Sequence, residues 1–316
     1  MPNKLTQEST KLRDWLMPIA ALVFSLFATT SYADKLLVIS RQLDSYERVA
    51  HQIQDRLKTP AKVITLSEFE LTEFDTTGYQ TIVAIGSKSG DILFDRIPAE
   101  KNLIICFLPR QTYQALLEKY KDHPRKLDRK VSAIFFDQPY TRQLALTRLV
   151  APKAKKVATA LGPHSQKDLK ILTEAASKQS IDLTYETLQD DDNPIHKLQP
   201  LIRDADLFLS LPDKSVFNRT TAKWILYISF RQRIPLIGFS KKYVEAGAIA
   251  AVHSTPEQIG QHTAEFIIDY ASNKQLPEPE YPKYFTVSTN NTAANSLRIR
   301  LPSEEELTSK LMEQER

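Results

Sequence analysis

The stretch Thr81-Ile82-Val83-Ala84-Ile85-Gly86-Ser87 is an apolar run that ends at a glycine and a serine. A strand at the surface of an antiparallel sheet alternates apolar and polar residues, whereas a strand covered on both faces by helices is apolar throughout. The stretch therefore predicts a buried strand of a parallel sheet.

Apolar runs of the same kind lie on both sides of this stretch. Lys35–Ser40 and Lys62–Leu66 precede it, and Asn102–Leu108 follows it. Between the first two runs, Val49 and Ile53 are four residues apart, which is the spacing of one helix face. Buried strands that alternate with helices predict a first α/β unit.

A second series of runs begins near residue 131 and repeats the alternation. Its apolar segments are Val131–Phe136, Lys156–Leu161, Ile181–Tyr185, Ala205–Leu211 and Ile234–Phe239. Segments with helical spacing separate them. The two series predict an α/β fold of two doubly wound parallel-sheet lobes.

The composition is that of an ordinary globular protein. The chain has 316 residues, of which 42% are apolar and 25% are charged, and this excludes a disordered, collagenous or polytopic membrane protein. The net charge of +4 is too small, and the basic residues are too mixed with acidic ones, to predict a nucleic-acid partner. Cys106 lies inside an apolar run, so we expect a buried thiol with no internal disulfide partner.

The N-terminal segment has the three parts of an export signal. Basic residues precede an apolar run from Trp15 to Ala28, and Ser31-Tyr32-Ala33 offers a small-x-small cleavage site. We expect cleavage near Ala33 and export to a bacterial periplasm, where a chain of this size needs no disulfide. The run is shorter than the ~20 residues of a spanning helix, which disfavours the alternative of an uncleaved anchor.

Small or polar residues follow five of the predicted strands. They are Ser40, Gly86-Ser87, Gly162-Pro163, Pro212-Asp213 and Gly238. Ligands of open parallel sheets bind beyond the carboxyl ends of the strands. We therefore expect these positions to face a shared cleft between the two lobes.

A series of short segments stands in an order and spacing typical of one protein family. They are Phe136–Pro139, Arg142–Leu146, Ala151–Val157, Leu211–Val216, Arg233–Gly238, Val244–Ala251, Gln258–Gly260, Pro277–Pro282 and Asn290–Leu301. The chain resembles the ABC-transporter substrate-binding family, which includes binding proteins for tryptophan and other aromatic amino acids. The resemblance covers residues 130–305 well and residues 34–129 in outline.

The resemblance implies a type I periplasmic binding protein architecture with a hinge and an interlobe cleft. It places residues 34–133 and about 243–272 in lobe one, and residues 134–242 and about 273–316 in lobe two. The implied function is the capture of a small polar or zwitterionic ligand by hinge closure, with an aromatic amino acid as one candidate. The implied partner is an inner-membrane ABC permease, and we expect a monomer without cofactor or metal.

Candidate ligand contacts carry over from the family position by position. Gly86 and Ser87 resemble the family's Gly-Thr/Ser turn, where amides and a hydroxyl at a helix start can receive a carboxylate. Asp213 resembles an acidic residue that can face a ligand ammonium. Ser40 and Ser240 follow strand ends in the same geometry. A helix-capping role fits Ser87 and Asp213 equally well, so both interpretations stay open at this point.

Two loops depart from the family's pattern. Residues 162–166 lack the family's asparagine and glutamate, so His164 or Ser165 could substitute as the ligand contact there. Where relatives have Asp-Pro after the fourth strand, this chain has Pro109-Arg110. Arg110 could pair with a ligand carboxylate, although an arginine in such a place is more often a surface cation.

Two groups of aromatic residues call for different interpretations. Candidates for stacking on a ligand, all near strand ends, are Tyr140, Phe239 and Tyr243. Residues at helical spacing, which we predict to pack in the core, are Trp224, Tyr227 and Phe230.

The chain lacks the sequence motifs of the main enzyme classes. Its six histidines make no metal-binding spacing, and it has no nucleophile elbow, Walker loop or dinucleotide-binding glycine motif. We expect a binding protein and keep an exported hydrolase as the least favoured alternative. A further alternative retains the binding fold but signals to a membrane receptor or kinase instead of an importer.

Overall fold

The computed structural model describes residues 34–71, 74–189, 191–213 and 215–315. The predicted export signal, residues 1–33, lies outside these ranges. Within them, no helix combines the length and the apolar character needed to cross a membrane.

The first lobe is built on a five-stranded parallel sheet in the order β2-β1-β3-β4-β5. Its strands are β1 (Lys35–Ile39), β2 (Ala61–Thr65), β3 (Thr81–Ile85), β4 (Asn102–Leu108) and β5 (Val131–Phe135). The helices between them are α1 (Asp44–Arg56), α2 (Leu66–Leu71), α3 (Ser87–Arg96), α4 (Arg110–Lys119) and α5 (Pro124–Leu127). Strands β1 and β3 are buried at every residue, as the continuous apolar runs predicted. The thiol of Cys106 in β4 is also buried, which raises its pKa to about 12.

The second lobe is built on a six-stranded sheet in the order β11-β10-β9-β8-β6-β7. Its strands are β6 (Lys156–Leu161), β7 (Asp182–Thr187), β8 (Leu207–Leu209), β9 (Leu236–Gly238), β10 (Ala250–His253) and β11 (Thr286–Thr289). Its helices are α6 (Tyr140–Val150), α7 (Leu169–Lys178), α8 (Pro194–Arg203), α9 (Arg219–Gln232), α10 (Lys241–Glu245), α12 (Asn291–Ser296) and α13 (Glu304–Gln314). A 3₁₀ turn, Ser165–Asp168, precedes α7. The prediction of two α/β lobes is confirmed, but β11 runs antiparallel to β10 and was not predicted.

One long helix of the second half returns to the first lobe. This helix, α11 (Pro256–Asn273), packs on α1, and Ile259 joins the same apolar cluster as Val49 and Ile53. Arg48 forms an ion pair with Glu257 at the edge of the contact, 2.6 Å between Nε and Oε1. The returning helix therefore completes the cover of the first sheet.

The structure places two segments differently from the expected division. Residues 243–253 were expected in lobe one, but β10 forms hydrogen-bonded ladders with β9 and β11 in the second sheet. Residues 273–281 were expected in lobe two, but Glu280 pairs with Ile134 at the edge of the first sheet. Both segments follow their backbone pairing, which a short apolar run alone does not specify.

The chain crosses between the lobes three times, at residues 136–139, 254–255 and 274–285. Hydrogen bonds join these crossings to one another. The side-chain amide of Gln138 donates to Ser254 Oγ at 2.9 Å, and Ser254 Oγ donates to the Tyr284 carbonyl at 2.6 Å. The hinge therefore consists of three segments that hydrogen bonds hold together.

The outer face of α9 departs from the predicted core. Its buried face carries Thr221, Ile225 and Ser229, which are spaced four apart. Tyr227 and Phe230 lie on the other side and are 58% and 62% exposed, so their prediction as core residues was wrong. Trp224 is partly buried against the core of the second lobe.

We expect Gly260→Ala to destabilise the first lobe. A Cβ at this position would lie 2.7 Å from the Val49 carbonyl oxygen, so α11 would have to move away from α1. Overpacking against backbone costs about 1–3 kcal/mol, which exceeds the gain in helix propensity of up to about 1 kcal/mol. Urea unfolding measures the difference.

Gly78→Ala is the matched control, because a Cβ there meets no heavy atom within 4 Å. Its free energy of unfolding should stay within about 0.5 kcal/mol of the wild type. If Gly260→Ala is as stable as Gly78→Ala, the close contact between α1 and α11 is not a constraint.

Candidate functional site

The two sheets share one strand order over five strands. In each, the second strand in sequence lies at one edge, the first lies next to it, and the chain then continues in the opposite direction across the sheet. The order reverses between β1 and β3 in the first sheet and between β6 and β8 in the second. Crevices at such switch points are where open parallel sheets bind ligands.

A cavity of about 530 Å³ lies between the lobes. The first lobe and the crossing after β5 contribute Pro109, Gln111, Thr112, Ala115 and Phe136. The second lobe contributes His164, Pro212, Asp213, Ser215, Phe217 and Phe239. This volume lies in the usual range for sites that enclose a small molecule, about 300–1,000 Å³.

A bulge at the end of β4 shapes the first-lobe side of the cleft. The register with β5 shifts between Cys106 and Leu108, and Phe107 between them has a left-handed backbone with φ of 60°. The bulge directs the Phe107 ring onto Phe136, with ring centroids 5.7 Å apart, and onto the edge of Tyr46 at 5.6 Å. The ring of Phe136, which lines the cavity, is therefore held in place by packing against Phe107.

On the second lobe, the carboxylate of Asp213 holds two loops together. Its Oδ2 accepts from the amide and the hydroxyl of Ser165, at 2.8 and 2.7 Å. Its Oδ1 accepts from the amide and the hydroxyl of Ser215, at 3.0 and 2.5 Å. Gly162 permits this approach, since a Cβ there would lie 2.1 Å from Ser215 Oγ.

These hydrogen bonds also set the charge state of Asp213. Burial alone would raise the pKa of this carboxyl, which is 2% exposed, but the hydrogen bonds from Ser215 and Ser165 lower its pKa below the usual value. Donors to a carboxylate stabilise its charged form. Asp213 is therefore a buried anion whose hydrogen-bonding capacity is filled by its own loops.

A second carboxylate, Asp168, connects the two lobes. It forms an ion pair with the guanidinium of Arg110 at the start of α4. Its Oδ2 accepts from the side-chain amide of Gln111 at 3.2 Å and from the hydroxyl of Tyr140 at 3.0 Å. Arg110 and Gln111 belong to the first lobe, whereas Asp168 and Tyr140 belong to the second.

Asp137, on the first crossing, adds another acid to this interlobe contact. Its Oδ1 accepts from the backbone amide of Arg110 at 2.9 Å. Burial raises the pKa of Asp137 to about 6, and this hydrogen bond offsets part of the rise. A carboxyl with a raised pKa makes the folded state less stable as the pH increases from about 4 to about 6, because the folded form then binds more protons than the unfolded form.

The structure brings only some of the predicted contacts to the cavity. His164 and Asp213 line it, and so does Phe239. Ser165 lies behind the wall and holds Asp213. The hydroxyl of Tyr140 bonds to Asp168, so Tyr140 belongs to the interlobe contact.

The predicted contacts on the first sheet lie beside the cavity, not on its wall. Ser40 accepts from the amide of Ser89 at 2.9 Å and donates to Ile85 O, so its hydroxyl is occupied within the lobe. It lines a separate depression of about 440 Å³. Ser87 lines another, of about 410 Å³. Gly86 has a φ of 99°, and a Cβ there would lie 2.6 Å from Ser40 Oγ. A residue without a side chain at this position therefore allows the close approach of Ser40.

Two further predictions have local structural explanations. Ser240 caps α10 by accepting from the amide of Tyr243. Arg110 is not a surface cation, because its largely buried guanidinium pairs with Asp168, and it is not among the cavity-wall residues. Four further residues had no local pattern that marks them, because their partners are distant in sequence: Asp168, Gln111, Phe136 and Phe217. Within the described ranges, His, Cys, Asp and Glu side chains form no group of three that could hold a metal ion.

Comparison with known proteins identifies the family. The sequence profile of the family described as ABC transporter substrate binding protein matches residues 44–309. The chain belongs to this family, and its two-lobed α/β fold is that of the type I periplasmic binding proteins. No curated protein matches it.

Solved structures share the fold at low sequence identity. A conserved domain protein from Vibrio cholerae is 18% identical, with a TM-score of 0.59, over 88% of this chain and 97% of that one. The ligand-free, open form of a substrate binding protein with adhesive properties from Clostridium difficile is 16% identical, with a TM-score of 0.67, over 86% and 97%. An ABC domain from Streptococcus pneumonia in complex with L-Trp is 14% identical, with a TM-score of 0.57, over 87% and 98%.

We expect Asp213→Asn to lower the free energy of unfolding by about 3 kcal/mol. The NH2 group of the new asparagine would then face hydrogen-bond donors, where the carboxylate oxygen had accepted from them. The folded pKa of Asp213 lies below its usual value of 3.8, so its contribution is present above that pH and is lost as the pH falls through the folded pKa. The difference between wild type and variant, measured by urea unfolding, should therefore shrink below about pH 4.

Asp269→Asn, on the exposed face of α11, is the control and should change the stability by less than about 0.5 kcal/mol. A pH-independent difference for Asp213→Asn would contradict the assignment of Asp213 as a bonded anion.

Proposed function

We propose that this protein is the solute-binding component of an ABC importer. It captures a small molecule in the interlobe cavity by hinge closure and presents the closed form to an inner-membrane permease. The observation that supports this most directly is the cavity between the carboxyl ends of two sheets, in a chain of the substrate-binding family. In this proposal the chain binds its ligand without chemical turnover.

The proposal places the mature protein in the periplasm as a monomer. Its support is the export signal in residues 1–33 together with the family, whose members act outside the inner membrane. Cleavage near Ala33 would leave a chain that begins just before β1.

Closure is proposed to act through the hinge crossings. Rotation about residues 136–139, 254–255 and 274–285 changes the distance between α4 and the loops after β6 and β8. A ligand shifts the population toward the closed form only by contacts that it makes more strongly there. The wall residues supply such contacts, since Thr112 and Ala115 lie on one lobe and Phe217 and Phe239 on the other.

The test uses residues 34–316 and a library of amino acids, nucleosides, sugars and small aromatic compounds. A true ligand at 100 times its Kd adds about 2.7 kcal/mol to the folded state, which a thermal-shift assay detects. Small-angle X-ray scattering of each hit should then show a smaller radius of gyration than the ligand-free protein.

A hit that compacts the protein supports solute capture. If no solute in the library raises the melting temperature or changes the scattering, capture of a small molecule by closure is contradicted. Loss of the solute over time, seen by chromatography, would instead indicate an enzyme.

We expect Arg110→Met and Asp168→Asn each to favour the open form. Removing one partner leaves the other charge buried and costs about 3 kcal/mol, whereas the double variant should cost less than the sum of the two. Both single variants should show a larger radius of gyration without ligand and a lower melting temperature.

The control is Asp91→Asn, which removes an exposed ion pair with Lys119 inside the first lobe. Exposed pairs contribute less than about 1 kcal/mol, so its scattering should match the wild type. Additive effects of Arg110→Met and Asp168→Asn would show that this pair does not hold the lobes together.

A further inference from the structure

We propose that the interlobe cavity takes an uncharged ligand with an aromatic or hydrocarbon ring, and not the zwitterionic solute expected from the sequence. This inference rests on the proposed function, because it names the ligand class of the same site. Three features carry it: the apolar surface of the cavity wall, a wall carboxylate whose hydrogen-bonding positions are already filled, and an arginine outside the wall that is already paired.

The wall is apolar on both lobes. Pro109 and Ala115 lie on the first lobe, Phe136 lies on the crossing that follows β5, and Phe217 and Phe239 lie on the second lobe. The last two rings are in edge-to-face contact, with centroids 6.2 Å apart. Aromatic rings on the hinge crossing and on the second lobe favour a flat ring enclosed beside them, because closure then buries apolar surface of both ligand and protein.

The one carboxylate among the described wall residues cannot easily receive an ammonium. A carboxylate offers about four lone-pair positions, and the four donors of Ser165 and Ser215 occupy both oxygens of Asp213. An ammonium would therefore compete with bonds that hold the two loops. The carboxylate would offer the ammonium no free position to offset its loss of hydration.

Arg110, which lies between two wall residues in sequence, cannot easily receive a ligand carboxylate. Arg110 is absent from the cavity wall and pairs with Asp168 across the lobes. No lysine or arginine stands among the described wall residues. An anionic ligand group enclosed here would meet no counter-charge from the described wall residues, and burying it without one would cost free energy. Lys214 lies outside the described residues, so the test includes it.

Uncharged polar atoms remain on the wall. Gln111 donates its amide N–H to Asp168, which leaves its carbonyl oxygen as an acceptor. Thr112 and Ser215 have hydroxyl groups at the cavity, and His164 has an imidazole. These groups suit a neutral hydroxyl or amide at one end of the ligand, and they fix its orientation without a charge.

The experiment compares four compounds that share a phenyl ring and differ in charge. They are 3-phenylpropanol (neutral), 3-phenylpropionate (anionic), phenethylamine (cationic) and phenylalanine (zwitterionic). Isothermal titration calorimetry on residues 34–316 at pH 8 measures each Kd. We expect the neutral compound to bind at least about tenfold more tightly than the other three.

Two pairs of variants locate the binding. Phe239→Ala should raise the Kd of the neutral compound by at least about tenfold, since the substitution removes one aromatic ring from the cavity wall. Phe230→Ala removes an aromatic residue from the exposed face of α9 and should leave the Kd unchanged. Lys214→Met should also leave the order of the four affinities unchanged, and Asp269→Asn is its control for a surface charge.

The results separate this inference from the proposed function. Tightest binding by a charged compound overturns the inference, and so does tight anion binding that Lys214→Met abolishes. A further outcome is that none of the four compounds binds with a Kd below about 1 mM, while a charged solute from the library compacts the protein. In that case the inference fails and solute capture stands. If nothing in the library binds either, both fail.

Discussion

The most important constraint on this molecule is that its chain crosses between the lobes three times. Hydrogen bonds from Gln138 to Ser254 and from Ser254 to Tyr284 tie the crossings together. Because no crossing can move alone, relative motion of the lobes reduces to rotation about one region. The positions of the cavity, the interlobe ion pair and helix α11 are all defined relative to these three crossings.

Two buried carboxylates of the second lobe serve different parts of this arrangement. Asp213 bonds within its own lobe and fixes the shape of one cavity wall. Asp168 bonds across the lobes, to Arg110 and to the side chain of Gln111, and so joins the two lobes. One residue type thus provides rigidity in one place and a separable contact in another, according to where its donors lie.

The fold could be predicted from the sequence further than the site. Runs such as Thr81–Ile85 are apolar throughout, and that pattern alone indicates a strand covered on both faces. The short strand β11 has only Val287 fully buried, so its pattern was too weak to find. Asp168 was out of reach for another reason: its partner Arg110 is 58 residues away in sequence, and no local pattern reports such a pairing.

The first turns of α4 stand between two recesses of the protein surface. Thr112 and Ala115 border the interlobe cavity and also the depression that Ser87 lines. Both are exposed positions on one helix face, outside the core and the hinge. Smaller residues there would widen the passage between the two recesses, and bulkier ones would narrow it. Under solute capture, substitutions at two surface positions would therefore change the space for the solute without changing the residues of the core or the hinge.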